Sequence, residues 1–149
     1  MSAFKVERSI IINKPAEELY TAVADFNTWA SWSPWLSQEP DCPVEITGEP
    51  GVVGHKQAWD GNKIGSGSVV LAEIAPHQAL VYTLAFIKPW KSNSMAGFTF
   101  APEAGGTKVT WVMEGSVPAL MSFMKNKISQ QVGADYEKGL ALLKARMEG

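Results

Sequence analysis

The sequence predicts one α+β domain in which a curved, seven-stranded antiparallel sheet grips a long C-terminal helix and encloses a mainly apolar pocket. Three observations predict it. Strand signals punctuated by turn residues recur from about residue 43 to 115. Apolar residues then recur at helical spacing from Pro118 to Met147. The chain has 149 residues, the usual size of a single core, so residues 1–149 are expected to form one domain.

FKVERSIII (4–12) alternates as a first strand, with Phe4, Val6, Ile10 and Ile12 on one face and Arg8 on the same face. In NKPAEELYTAVADF, Pro15 suits a first helical position and Glu17 and Glu18 suit the positive end of the helix dipole. Leu19, Ala22 and Val23 form its apolar stripe. Asp25 caps a second short helix from Phe26 to about Trp32, ended by Ser33-Pro34, because a residue before proline avoids the α region. Two short helices therefore follow strand 1.

Six strands come next, separated by GEPG, DGNK, APHQ, KPWKSN and APEAGG. Tight connections make this an antiparallel meander, not a βαβ alternation. Leu80, Tyr82, Leu84 and Phe86 share one period-2 face, as do Phe98 and Phe100, and Val109, Trp111 and Met113. A two-residue Gly61-Asn62 loop sets Trp59 opposite Ile64 and turns Ser66, Ser68 and Val70 inward. A four-residue loop at Ala75 to Gln78 sets Leu71 opposite Tyr82 and turns Val69, Leu71 and Glu73 inward. Both hold only if an extra residue enters between them, and the glycines of Gly65 to Gly67 make a bulge cheapest there. A bend at that point curls the sheet.

From Pro118 one amphipathic helix is expected to run unbroken past Gly133 to about Arg146, presenting Ile128, Val132, Tyr136 and Leu143 to the sheet. Gly139, central on that face, costs ~1 kcal/mol relative to alanine, so either close helix-to-sheet packing or room for a ligand requires it. ALMSFM (119–124) is apolar almost all round. A helix start buried under the WSPW loop, a gate at the pocket mouth or a homodimer contact would each explain it.

Thirteen Lys and Arg against fifteen Asp and Glu give a net charge of −2, and no basic cluster matches a row of phosphates, so nucleic acid is not an expected partner. No leader-like segment or long apolar run is present, which predicts a cytoplasmic protein without stable membrane insertion. The single cysteine, Cys42, reads as a bystander. Six Trp, three of them in WASWSPW (Trp29, Trp32, Trp35), suit a core or a concave ligand site equally.

INKPAEELYTAVADFNTWASWSPW (12–35), GHKQAWDGNKIGSGSVVLAEIAPHQALVYTLAF (54–86) and TKVTWVMEG (107–115), with the long helix, resemble the START-related, or SRPBCC, superfamily. The detail is similar to its polyketide cyclase/dehydrase-like branch. The resemblance implies the helix-grip (Bet v 1-like) fold and a hollow between sheet and helix. Function is left open, since the superfamily includes lipid and sterol carriers, hormone receptors, cyclases and chaperone cofactors.

His55 and His77 show no metal-ligand spacing, so neither a metal nor a cofactor is expected. His77 follows Pro76 in a turn and reads as solvated. Period 2 sends His55, Gln57 and Trp59 inward and Lys56 and Asp60 to solvent, with Glu73 joining from the next strand. These groups could orient a polar ligand group, move a proton, or form a satisfied structural cluster. Two main readings follow. The first is binding of a small hydrophobic or amphipathic molecule among His55, Gln57, Trp59, Leu71, Tyr82, Leu84, Phe98, Trp111, Val132, Tyr136 and Gly139. The second is a cyclase or dehydrase with His55 or Glu73 as acid or base. A protein-interaction module would instead show an exposed apolar patch and no deep cavity.

Overall fold

The computed structural model describes residues 2–88 and 91–149. Strand β1 (Ser2–Ile12) leads through α1 (Ala16–Val23), a 3₁₀ segment (Phe26–Ser31) and α2 (Pro34–Gln38). The meander follows: β2 (Val44–Thr47), β3 (Lys56–Asp60), β4 (Ser66–Ala75), β5 (Ala79–Lys88), β6 (Ser92–Glu103) and β7 (Gly106–Val117). A second 3₁₀ segment (Ala119–Met124) and α3 (Lys125–Glu148) complete the chain. The seven strands form one antiparallel sheet in the order β1-β7-β6-β5-β4-β3-β2. Alternation carries Val69, Leu71, Leu80, Tyr82, Phe98, Phe100, Val109, Trp111 and Met113 into the core, where Tyr136, Leu140 and Leu143 of α3 meet them. Among the described residues no helix is long and apolar enough to cross a membrane.

The region after β1 departs from expectation. Ser33-Pro34 ends the 3₁₀ segment but also begins α2: the Ser33 hydroxyl accepts from Leu36 N–H, and Pro34 takes the first turn, where its missing N–H costs nothing. The C-terminal helix is corrected too. Residues 119–124 form 3₁₀ turns, with Met121 N–H bonded to the Pro118 carbonyl, and the α-helix starts at Lys125, continuing through Gly133. These turns are not buried under the WSPW loop, for Leu120 and Phe123 are 92% and 79% exposed.

The register around the glycines also differs. The β3–β4 connection is a five-residue loop, Gly61 to Gly65, which sets Trp59 opposite Gly67 and turns Val69 and Leu71 inward without any conflict. The Glu39 carboxylate holds this loop wide, accepting the N–H groups of Asn62 (2.9 Å), Lys63 (2.6 Å) and Ile64 (3.0 Å). An irregularity does fall between Ser66 and Gly67, but the extra residue is Ile87 on β5. A second bulge lies at Ala72. The turn after β4 pairs Ala75 with Ala79, and the bulge restores Leu71 opposite Tyr82. The expected turn at KPWKSN includes Pro89 and Trp90, which lie outside the described residues.

Candidate ligand cavity

A cavity of about 170 Å³ lies between the concave face of the sheet and the helices. Gln57 and Trp59 enter from β3, Val69 from β4, Tyr82, Leu84 and Phe86 from β5, Ala96 from β6, and Trp111 and Met113 from β7. Val132 and Tyr136 of α3 close one side. Trp29, Ser33, Trp35 and Leu36 close another, and Ile64 joins from the loop that Glu39 holds. No lysine, arginine, histidine or carboxylate side chain lines it among the described residues.

The walls are fixed by aromatic packing. Trp111 stacks on Tyr136 with ring centroids 3.8 Å apart and planes 7° apart, and on Phe98 at 4.7 Å. Trp35 meets both Trp111 and Tyr136 edge-on, and its Nε1–H donates to Asp135 Oδ2 at 3.1 Å, tying α2 to α3. Trp29 Nε1–H and Tyr82 Oη–H both donate to the Val23 carbonyl, at 2.8 and 3.2 Å, which fixes two further rings by their polar ends. Burial pushes the phenols of Tyr82 and Tyr136 far above their ordinary pKa, so both stay neutral.

Of the predicted ligand-binding residues, Gln57, Trp59, Tyr82, Leu84, Trp111, Val132 and Tyr136 line the cavity, whereas His55, Leu71, Phe98 and Gly139 do not. Leu71 and Phe98 are core residues behind the wall. Gly139 serves packing: a Cβ there would lie 2.8 Å from Trp111 Cζ3 and 3.0 Å from Pro34 Cδ. His55 faces inward and is fully buried, as alternation predicts, but both ring nitrogens are engaged. Nδ1 lies 3.0 Å from the Thr47 carbonyl, and Nε2 accepts Phe26 N–H at 3.0 Å, which assigns the neutral tautomer with Nδ1 protonated. The Phe26 ring stacks over the imidazole at 4.7 Å. His55 thus caps the first 3₁₀ segment and seals the turn before β3.

Glu73 is the clearest correction. The Ala72 bulge reverses the alternation, pairs Glu73 with Val81 and leaves Glu73 exposed, so it does not join His55. Arg8 does lie on the helix side of β1, its Nε 3.7 Å from Glu137 Oε2. The thiol of Cys42 is buried against the Pro43 carbonyl, and that burial raises its pKa. No group of three or more metal-ligating side chains occurs among the described residues.

Sequence reasoning missed Trp29, Ser33, Trp35, Leu36, Ile64, Val69, Phe86, Ala96 and Met113 as cavity residues. The crowding of tryptophans in WASWSPW was the available signal for the first group. Phe86 and Met113 already stood on faces read as inward.

The sequence profile of the family described as polyketide cyclase / dehydrase and lipid transport matches residues 3–148. The chain belongs to this family. No curated protein matches. Solved structures of the same fold include protein MLL2253 from Mesorhizobium loti, 18% identical over 97% of both chains with a TM-score of 0.74. The Aha1 dimer from Colwellia psychrerythraea is 18% identical, with 95% of this chain and 93% of that one covered and a TM-score of 0.66. Ara h 8.0201 is 12% identical over 97% of both chains, also with a TM-score of 0.66. The helix-grip, Bet v 1-like architecture is thereby shown.

Proposed function

We propose that this chain binds a small hydrophobic or amphipathic molecule in the cavity between the sheet and α3. One observation carries the reading: a partly enclosed space of about 170 Å³, walled almost entirely by aromatic and aliphatic side chains, remains where the sheet grips the helix. Filling it would remove apolar ligand surface from water at roughly 25 cal/mol per Å², with the pocket already formed. The lipid-transport part of the family description agrees with binding. A cyclase or dehydrase reading draws on the same description, but His55 is sealed away from the cavity and Glu73 faces solvent. Among the described residues, the wall offers the neutral phenols of Tyr82 and Tyr136 and no charged side chain for proton chemistry.

Calorimetric titration with toluene tests the proposal. One molecule should bind per chain, and Val132→Trp, which projects an indole from α3 into the cavity, should abolish binding while the chain stays folded by circular dichroism. Absence of toluene binding to the parent protein, or undiminished binding to a folded Val132→Trp chain, would overturn it.

A further inference from the structure

The geometry points to the class of ligand. Resting on the cavity-binding reading, we propose that the ligand is an uncharged molecule of about one aromatic ring carrying a hydroxyl, or a comparable donor-acceptor group, that bonds to the Gln57 carboxamide.

Gln57 is 6% exposed, lines the cavity, and its Oε1 has no hydrogen-bond partner among the described residues. Buried amide oxygens are ordinarily paired, so an unpaired one on a residue that lines the cavity leaves the carboxamide free to turn and meet a polar group of a ligand. Its backbone is paired between Ile46 of β2 and Val69 of β4, which fixes the side chain on the cavity face of the sheet. Among the other polar groups on the wall, the Ser33 hydroxyl accepts Leu36 N–H, the Tyr82 hydroxyl donates to the Val23 carbonyl, and the Trp29 and Trp35 indole N–H groups donate to the Val23 carbonyl and to Asp135. A carboxamide can turn over and present either oxygen or nitrogen, and a hydroxyl, being donor and acceptor at once, satisfies both orientations.

Size and charge narrow the class further. A dry apolar cavity of about 150 Å³ takes benzene, so about 170 Å³ suits one substituted ring held inside the walls. With no charged side chain on the described wall, an anionic or cationic ligand would be buried unpaired, which is strongly unfavourable.

The test compares toluene, p-fluorotoluene, p-cresol and p-toluate by calorimetry at neutral pH, on the parent protein and on Gln57→Leu. On the parent, p-cresol should bind at least as tightly as p-fluorotoluene despite its hydrated hydroxyl, and p-toluate should not bind measurably. Gln57→Leu should weaken p-cresol relative to toluene on the order of tenfold, the size of one net hydrogen bond. The parent comparison alone decides the matter should Gln57→Leu fail to fold. Toluene binding together with p-cresol tenfold weaker than p-fluorotoluene, an unchanged affinity of p-cresol relative to toluene in folded Gln57→Leu, or tight binding of p-toluate would overturn this proposal and leave the cavity reading standing. Failure of toluene itself to bind would overturn both.

Discussion

Replacing Gly139 with alanine sets two effects of opposite sign against each other on a single methyl group. Glycine inside a helix costs about 1 kcal/mol relative to alanine, so at an open position the exchange should stabilise the protein by that amount. Here the new Cβ would lie 2.8 Å from Trp111 Cζ3 and 3.0 Å from Pro34 Cδ, closer than carbon atoms pack. Neither neighbour yields easily. Trp111 is sandwiched by Tyr136 and Phe98, and Pro34 is a rigid ring in the first turn of α2. Overpacking of one methylene in a dense core costs about 1–3 kcal/mol, so the net effect is a loss of about 1 kcal/mol, or roughly 2–4 °C in melting temperature. Urea unfolding followed by far-ultraviolet circular dichroism measures it. A gain of about 1 kcal/mol would show that α3 stands away from Trp111 and would refute the close-packing account.

Three further outcomes follow from the same geometry. His55→Leu removes the partner of the buried Phe26 N–H and of the part-buried Thr47 carbonyl, and should cost on the order of 2 kcal/mol in urea unfolding while leaving toluene affinity unchanged; a loss of affinity with stability intact would make His55 a site residue after all. The raised pKa values of Tyr82 and Tyr136 mean that above pH ~10 the unfolded chain releases protons that the folded chain keeps. Stability should then fall by about 1.4 kcal/mol per pH unit for each tyrosine, and ionisation of more than one of the three tyrosines near 295 nm with unchanged circular dichroism would contradict this. The Glu39 carboxyl is held below the ordinary carboxylate range by the loop N–H groups, Asn62 first. Its contribution is present above the ordinary value and lost as pH falls through the lowered one, so the protection of the Asn62, Lys63 and Ile64 amides relative to their intrinsic exchange rates should fall selectively on acidification and be low at neutral pH in Glu39→Gln; equal protection in both proteins at neutral pH would count against the clamp.

Element order and sheet topology were legible because alternation and turn residues are local signals, and the inward faces of β5, β6 and β7 followed from them directly. The placement of Gln57 and Trp59 on the cavity wall came from the same alternation. Glu73 was misplaced because a bulge at Ala72 leaves no local mark, unlike one at a glycine. The Gly61 to Gly65 loop was misread because its length depends on Glu39, more than twenty residues earlier in the chain. His55 was correctly turned inward, yet its exclusion from the cavity depends on Phe26 and Thr47, which periodicity cannot bring together. Gly139 posed a choice between packing and space that only the positions of Trp111 and Pro34 decide. The WASWSPW segment contributes Trp29 and Trp35 to the wall while Trp32 is buried in the core, a division set by the 3₁₀ segment and α2 and not by spacing in the sequence.

The most direct test of the central claim is a crystal structure of the protein soaked in bromobenzene, with the bromine located by its anomalous scattering. The account predicts one dominant bromine site enclosed by Trp59, Tyr82, Trp111, Val132 and Tyr136, with the surrounding aromatic stack undisturbed. Bromine found solely at surface positions, with the cavity collapsed or filled by ordered water, would contradict it.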